Sequence, residues 1–320
     1  MSVFGNLLRP LFGVTAKDTS FSQRDRQAAG RLKTVVNTVT KGCQLTLQNS
    51  NVEKLVGKLD AFDPELRGFA YEGAGIGLAA LDCLLPWKNR VRAFLAGPGS
   101  AFIYAVPLGA GMALARLHRR PEPFLKKRLD PLMGWVLLDG YGFHEGFFAR
   151  RRAIGRQQVP QHLSAYGRRV FDHGVGRSIW FSGEASVAQV QTTIAAFPPE
   201  RQADLWRGVG LAVGYTGGVE RPVIAALLDA CGPHRAPLAL GIAVAANARH
   251  SVGNPSPNAD LASETVWGLS SQQLSQLVEQ ARADLPPDGE VPAYEIWRQR
   301  IEAQFAGSAR QVPAPEEVSL

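Results

Sequence analysis

The chain has 320 residues, a hydrophobic content of 45% and a net charge of +7. This length and composition predict a globular protein with a sizeable core, in one large or two ordinary domains. Its three cysteines, Cys43, Cys83 and Cys231, are odd in number and far apart, which argues against a disulfide framework or a zinc motif and fits a reducing compartment.

The N-terminal segment, residues 1–20, begins with an apolar stretch from Met1 to Gly13 that Pro10 interrupts. It lacks a small-residue cleavage site and is too short to span a bilayer. We expect it to pack on the body of the protein or to lie on a membrane surface. A single helical domain over residues 21–305 and a disordered tail over residues 306–320 are expected to follow. The expected location is the cytoplasm, with peripheral contact at the inner membrane as an alternative.

A longer pattern centred on Gly-x-Gly occurs three times at a nearly constant spacing, around Gly73-Ala74-Gly75, Gly140-Tyr141-Gly142 and Gly208-Val209-Gly210. The first glycines of these copies are 67 and 68 positions apart, and such a fixed period predicts stacked copies of one unit. A proline precedes each copy, at positions 64, 131 and 199. Because proline is tolerated in the first turn of a helix, each unit is predicted to contain a long helix that starts at this proline.

Weaker echoes of the pattern, in Gly109-Ala110-Gly111, Gly174-Val175-Gly176 and at Gly241, predict a second helix in each unit. Glycine at this density allows helix axes to approach closely. We therefore predict an all-α fold of paired helices in about three pseudo-repeats of roughly 67 residues, arranged as a solenoid or a closed helical array. A dinucleotide-binding loop is disfavoured because no apolar strand precedes the glycines.

Two further segments carry fold predictions. The stretch from Ala93 to Ala115 has no charge and is long enough to cross a membrane, but Gly97-Pro98-Gly99 and Pro107 interrupt it. We interpret it as a loop followed by a buried helix. The stretch from Arg249 to Ser263 is rich in Pro, Asn, Ser and Gly, which predicts a long exposed loop. Helices are predicted over residues 270–283 and 292–305.

Four ionisable residues differ in character from the residues at the equivalent positions of the other copies, and they are the predicted catalytic residues. His144 and Glu145 stand where the other copies have small or aliphatic residues, and Asp172 and His173 stand where the first unit has neutral polar residues. A histidine and a carboxylate can act as acid and base or as metal ligands. The spacing of these four residues matches no known metal-binding or cofactor-binding motif. In the competing interpretation His144 is a core residue and Glu145 pairs with a following arginine.

Glu72, Asp139 and Arg207 occupy equivalent positions in the three copies. In stacked units they would form a charge ladder between helices or line a shared cavity. Arg177 lies beside aromatic residues and is a candidate contact for an anion or a π face, with a buried ion pair as the alternative. The predicted substrate-binding residues are Glu72, Asp139, Tyr141, Arg177, Trp180 and Trp206.

The basic residues occur in local clusters, among them Lys126-Lys127-Arg128 and Arg150-Arg151-Arg152. Solvated helical faces explain such clusters, and an acidic carrier protein or anionic lipid is the next interpretation. A membrane partner protein is a further candidate. Nucleic acid is an unlikely partner, because no binding motif accompanies the charge and aromatic residues are sparse around it.

The most specific block in the sequence is Asp139-Gly140-Tyr141-Gly142-Phe143-His144-Glu145-Gly146. Together with Tyr71–Gly75, Gly174–Phe181 and Trp206–Ala212 it resembles the DUF1702 family, also called UnbL-type enediyne biosynthesis proteins. The resemblance runs from about Phe21 to Phe305. It implies a setting among enediyne polyketide genes, beside a membrane protein and a large repeat-containing partner, and it transfers no active-site assignment.

With this resemblance, the leading expectation is a bacterial tailoring protein that holds a hydrophobic polyene or polyketide-like intermediate in an apolar groove. The predicted catalytic residues would supply proton transfer or a metal there. The alternative is a non-catalytic helical-repeat scaffold that assembles a membrane-associated biosynthetic or redox complex. The residues alone do not decide whether the protein is an enzyme.

Overall fold

The computed structural model describes residues 12, 26–49, 51–254 and 256–309. All regular secondary structure within these residues is helical, which confirms the predicted all-α class. The helices are α1 (Arg26–Gln48), α2 (Val52–Asp60), α3 (Pro64–Leu84), α4 (Arg90–Leu95), α5 (Ala105–Arg116), α6 (Pro121–Arg128), α7 (Val136–Phe148), α8 (Ala165–Ser182), α9 (Val187–Ala195), α10 (Pro199–Thr216), α11 (Arg221–Ala230), α12 (Arg235–His250), α13 (Pro257–Trp267), α14 (Ser271–Gln280) and α15 (Ala293–Ala309).

Proline starts two of the three predicted long helices. Helices α3 and α10 begin at Pro64 and Pro199, where the missing N–H would have had no intrahelical partner. The prediction is wrong for the middle copy, because α7 begins at Val136. Asp130 accepts hydrogen bonds from the two backbone N–H groups that follow Pro131, at 2.9 and 2.7 Å, and a short 3₁₀ turn then leads into α7.

The long helices α1, α3, α5, α7, α8, α10 and α12 pack side by side in chain order, and α14 and α15 pack on α12. The row curves back on itself, because α1 also contacts α10. There the Arg31 Nε donates a hydrogen bond of 2.8 Å to the carbonyl oxygen of Thr216. The curved row encloses the interior in which the ionisable residues lie.

The Gly-x-Gly pairs explain why these helices pack so closely. A methyl group at Gly140 would lie 1.8 Å from the carbonyl oxygen of Leu108 in α5, and one at Gly142 would lie 2.0 Å from that of Phe171 in α8. One glycine of the pair therefore faces the preceding helix and the other faces the following helix. The same arrangement occurs in Gly73/Gly75, Gly109/Gly111, Gly174/Gly176 and Gly208/Gly210.

The uncharged stretch from Ala93 to Ala115 forms the end of α4, a 3₁₀ turn and most of α5. This agrees with the interpretation as a loop followed by a buried helix, since α5 is buried almost throughout. Within the described residues no helix is both long and apolar enough to cross a membrane.

The predicted exposed loop from Arg249 to Ser263 is wrong. Helix α12 continues to His250 and α13 starts at Pro257, so the connection between them is short. Asn254 and Ser256 in this connection are 2% and 1% exposed. Their side chains donate hydrogen bonds to the start of α3, from Asn254 Nδ2 to the Pro64 carbonyl at 3.1 Å and from Ser256 Oγ to Glu65 at 3.0 Å. The polar residues that suggested a loop therefore attach the C-terminal helices to α3.

The two helices predicted near the C-terminus correspond to α14 and α15. Helix α15 continues to Ala309, so residues 306–309 of the predicted tail are helical, and the rest of that tail lies outside the described residues. The predicted N-terminal segment also lies outside them apart from Phe12, which is partly buried against the hydrophobic core.

Candidate functional site

An apolar cavity with a volume of about 70 Å³ lies between α1, α3, α5, α7 and α8. Aromatic rings form much of its wall. The rings of Phe143 and Phe147, one turn apart on α7, stack with their centroids 5.7 Å apart, and Phe181 meets Phe143 edge-on at 5.2 Å. Other wall residues are Phe12, Val35, Val36, Val39, Phe69, Ile76, Met112 and Phe148.

His144 also lines the apolar cavity and is 8% exposed. Neither of its ring nitrogens has a hydrogen-bond partner among the described residues. Burial lowers the pKa of His144, so the ring is neutral at pH 7. A buried imidazole with two unused hydrogen-bonding atoms favours a ligand or a water as its partner.

Glu145, the other half of the predicted pair, is bound by a different residue. Its carboxylate forms an ion pair with Arg152, and its Oε1 lies 3.7 Å from His144 Nδ1, too far for a hydrogen bond. Burial raises the pKa of Glu145, but His144 and Arg152 lower it more, so the carboxylate is ionised. The pairing of Glu145 with a following arginine is confirmed.

A second cavity, with a volume of about 40 Å³, lies between α3, α5, α7, α8, α10, α12 and α15. Phe69, Glu72 and Arg177 line both cavities, so these three side chains form the wall between them. The polar residues that line the second cavity include Glu72, Tyr104, Asp139, His173, Arg177, Tyr215, Tyr294 and Arg298.

Asp139 holds two basic side chains at the edge of the second cavity. Its Oδ2 is hydrogen-bonded to His173 Nδ1, and its Oδ1 accepts a hydrogen bond of 2.6 Å from Arg177 Nη1. Burial raises the pKa of Asp139, but Arg177 and His173 lower it more, and the net shift is downward. Burial lowers the pKa of His173 despite Asp139. The pair therefore consists of an ionised carboxylate and a neutral imidazole whose Nδ1 carries the proton.

Arg177 connects Glu72 to Asp139. Its Nη2 lies 3.6 Å from Glu72 Oε1, and its guanidinium lies 4.9 Å from the centroid of the Phe143 ring. The buried ion pair is therefore observed, and the π contact is made with Phe143 of α7 and not with the neighbouring Trp180 or Phe181. Burial raises the pKa of Glu72 against the opposing effect of Arg177.

The equivalent positions Glu72, Asp139 and Arg207 do not form one ladder. Glu72 and Asp139 meet through Arg177, whereas Arg207 binds Asp204 and also donates a 2.6 Å hydrogen bond to Glu302 on α15. Arg207 lines neither cavity.

Asp172 lies apart from His173, its neighbour in sequence. Both of its carboxylate oxygens accept hydrogen bonds from Arg201, at 2.7 and 2.5 Å, and it lines neither cavity. Tyr141, Trp180 and Trp206 are also buried in the core without lining either cavity. The four predicted catalytic residues thus do not form one site, and no group of three or more His, Cys, Asp or Glu side chains in the described part of the chain could hold a metal ion.

Sequence reasoning missed the contribution of α15 to the second cavity. Tyr294 and Arg298 line it, and the signal for this was their spacing of four positions, which places both on one face of a helix. The phenylalanines of the apolar cavity were also missed, although Phe143 and Phe147 have the same spacing.

These features define an all-helical protein with an aromatic interior cavity and a buried cluster of ionisable side chains in its wall. The chain matches the DUF1702 family, described as a protein of unknown function, over residues 5–305. It belongs to this family, as its motifs indicated. Comparison with curated proteins and with solved structures found no match.

Proposed function

We propose that this protein binds a hydrophobic, conjugated small molecule of the polyene or polyketide-like class in the apolar cavity. The main support is the environment of His144. This buried imidazole has no hydrogen-bond partner among the described residues and lies in a cavity walled by phenylalanines. Flat aromatic walls stack well on conjugated chains, and a few polar groups in an apolar pocket orient its ligand.

His144 would donate or accept a proton at a polar group of the bound molecule, since a neutral imidazole can do either. Arg116 also lines the cavity, with its guanidinium 5.8 Å from the centroid of Phe148. It offers a positive charge to a carboxylate at one end of the ligand. A cavity with an apolar wall and polar side chains at one end suits a tailoring step on a polyene intermediate that carries a polar group.

Binding is tested with cis-parinaric acid, a conjugated tetraene carboxylic acid whose fluorescence rises in an apolar environment. We expect saturable binding by the native protein. Val39→Trp fills the cavity from its wall and should weaken binding by at least about tenfold. Val291→Trp, at a side chain that is 45% exposed, is the matched control and should bind like the native protein. Equal binding by the two tryptophan variants would contradict the proposal.

A biosynthetic role is tested in the native host. We expect deletion of the gene to stop formation of a polyketide-like product and to cause a hydrophobic intermediate to accumulate. A gene that encodes His144→Phe should fail to restore the product, since the variant retains the aromatic wall and loses the imidazole. Full restoration by this variant would mean that His144 takes no part in the chemistry, and it would favour the alternative function as a non-catalytic scaffold.

The basic clusters on the surface suit an acidic partner. We propose that an acidic carrier protein delivers the intermediate to them. Exchange of Lys126 and Lys127 for glutamate should weaken the interaction with such a carrier, measured by titration calorimetry. Cis-parinaric acid binding should stay unchanged.

A further inference from the structure

We propose that α4 and the turn before it form a docking surface for a membrane that contains anionic phospholipids. Trp87 enters the interface between lipid and water, and Lys88 and Arg92 contact the lipid phosphates. This proposal does not depend on ligand binding in the apolar cavity. Three features support it: an exposed tryptophan, a local excess of positive charge, and two grooves with apolar walls that flank α4.

The first feature is the exposure of Trp87. At 69% it is the most exposed of the large apolar side chains in the described part of the chain. Leu84 is 42% exposed, and Pro86 between them is exposed as well. Neighbouring apolar side chains that stay in contact with water indicate an interaction surface. The indole ring in particular is favoured where an apolar phase meets water, as at the surface of a bilayer.

The turn that carries Trp87 is held in place by a buried carboxylate. Asp82 accepts hydrogen bonds from the first two backbone N–H groups of α4, at 2.8 and 3.0 Å. Arg128 donates a hydrogen bond of 3.2 Å to the same carboxylate and one of 2.6 Å to the carbonyl oxygen of Pro86. The turn is therefore fixed on both sides of Trp87, and the exposure of the indole is a consequence of the fold.

The second feature is positive charge without compensating acids. Between Asp82 and Glu122 the chain contains neither aspartate nor glutamate. Asp82 itself is buried and paired with two arginines. The side chains of Lys88 and Arg92 are exposed, and they form neither a hydrogen bond nor an ion pair with another described residue. Such cations favour a surface of anionic headgroups.

The third feature is the pair of grooves, between which α4 forms a ridge. One groove has a volume of about 440 Å³ and lies between α4, α5 and α6, and the other has a volume of about 310 Å³ and lies between α1, α2, α3 and α4. The residues of α4 that line the first groove are Arg92, Leu95 and Ala96, and those that line the second are Arg90, Ala93 and Phe94. Asp130 also lines the first groove, but its carboxylate accepts hydrogen bonds from backbone N–H groups. Each groove thus combines an apolar wall with positive charge, which suits the phosphate and the upper acyl chain of a phospholipid.

Lys126 and Lys127, the lysines assigned above to an acidic carrier protein, line the groove beside Arg92. A carrier protein and an anionic membrane would both be attracted by these charges. Insertion of Trp87 into lipid is specific to the membrane, so the experiment follows this residue. The two lysines are left unchanged in it, which keeps the two interactions separate.

Binding is measured by sedimentation with sucrose-loaded vesicles, made either of phosphatidylcholine alone or of equal parts of phosphatidylcholine and phosphatidylglycerol. We expect the native protein to bind the mixed vesicles at least about tenfold more tightly, because anionic headgroups attract the cations beside α4. The fluorescence of Trp87 should shift to shorter wavelengths when the mixed vesicles are added, because the indole leaves water.

Trp87→Ser should weaken binding to the mixed vesicles by at least about fivefold and remove the fluorescence shift. Val291→Ser is the matched control, since it removes another exposed apolar side chain, and it should bind like the native protein. Equal binding by these two variants would overturn the proposal.

The charges are tested by two double variants with the same change in net charge. Lys88→Glu with Arg92→Glu should weaken binding to the mixed vesicles by at least about tenfold. Arg151→Glu with Arg156→Glu changes two exposed arginines that line neither groove, and the loss should stay within about threefold. Equal losses in the two double variants would contradict a docking surface at α4.

Failure of the native protein to sediment with either kind of vesicle would also overturn the proposal and would favour an acidic protein as the partner of α4. Without vesicles, Trp87→Ser should bind cis-parinaric acid like the native protein. Failure of the native protein to bind cis-parinaric acid would therefore affect the proposed function alone.

Discussion

Glu72 and Arg177 meet at the wall between the two cavities, with Glu72 Oε1 and Arg177 Nη2 3.6 Å apart. Arg177 makes its hydrogen bond to Asp139 instead, at 2.6 Å. The pKa values of the two carboxylates are therefore shifted in opposite directions, because burial raises the pKa of Glu72 whereas Arg177 and His173 lower that of Asp139. One buried arginine cannot satisfy both acids equally.

This difference predicts unequal effects of two similar substitutions. Glu72→Gln should lower the free energy of unfolding by less than about 1 kcal/mol, because an amide resembles the protonated carboxyl that burial favours. Asp139→Asn should lower it by about 3–5 kcal/mol, because Arg177 and His173 lose their charged partner. Urea denaturation measures both. Similar losses for the two variants would contradict the assignment of charge.

The close approach of the inner helices predicts that a single methyl group is costly. Gly140→Ala would place a methyl group 1.8 Å from the backbone oxygen of Leu108, which cannot rotate away. We expect a loss of at least about 3 kcal/mol. Gly30→Ala is the matched control, since α1 leaves open space there, and it should raise stability by about 0.5–1 kcal/mol. In thermal unfolding, Gly140→Ala should lower the melting temperature and Gly30→Ala should raise it.

Two buried histidines predict a loss of stability in mild acid. The pKa values of His144 and His173 are both lowered from 6.5 by burial, so the unfolded chain binds protons more readily than the folded one. Their contribution is complete above pH 6.5 and decreases as the pH falls below it, by up to about 1.4 kcal/mol per pH unit for each histidine.

Urea titrations between pH 8 and pH 5 measure this dependence. His144→Phe removes one of the two groups, so its unfolding free energy should fall less steeply below pH 6.5 than that of the native protein. Above that pH the two curves should run parallel, which is the internal control. Identical slopes below pH 6.5 would mean that His144 is protonated in the folded state.

Asp172 is predicted to stabilise the fold rather than to act on a ligand. Its two oxygens bind Arg201 and it lines neither cavity. Asp172→Asn should therefore lower the unfolding free energy by about 1–3 kcal/mol. Its affinity for cis-parinaric acid, measured by fluorescence titration, should stay within about twofold of the native value. A much larger change in affinity would mean that Asp172 contributes to ligand binding.

The sequence predicted the fold better than the site, for a physical reason. Glycine pairs report close helix contact directly, and Gly73, Gly140 and Gly208 all meet a neighbouring backbone as expected. The pairing of Asp139 with His173 depends on how α7 and α8 are rotated against each other, which no local pattern encodes. Arg298 comes from a helix far along the chain, and tertiary packing, including that of α15 on α12, brings it to the cavity.

The misassigned segment from Arg249 to Ser263 has a similar cause. Its Asn and Ser content is typical of exposed loops, but the same side chains can satisfy buried backbone groups. Asn254 does so at Pro64, at a distance of 190 positions along the chain. Composition alone cannot distinguish hydrogen bonds to water from hydrogen bonds to another helix.

A crystal structure with a brominated conjugated fatty acid is the sharpest test of ligand binding in the apolar cavity, because bromine is located by its anomalous scattering. We expect bromine density inside the apolar cavity, against the rings of Phe143 and Phe181, with the chain of the ligand within contact distance of His144. Bromine density only on the outer surface, with the cavity unchanged, would contradict the claim that this cavity binds a conjugated molecule.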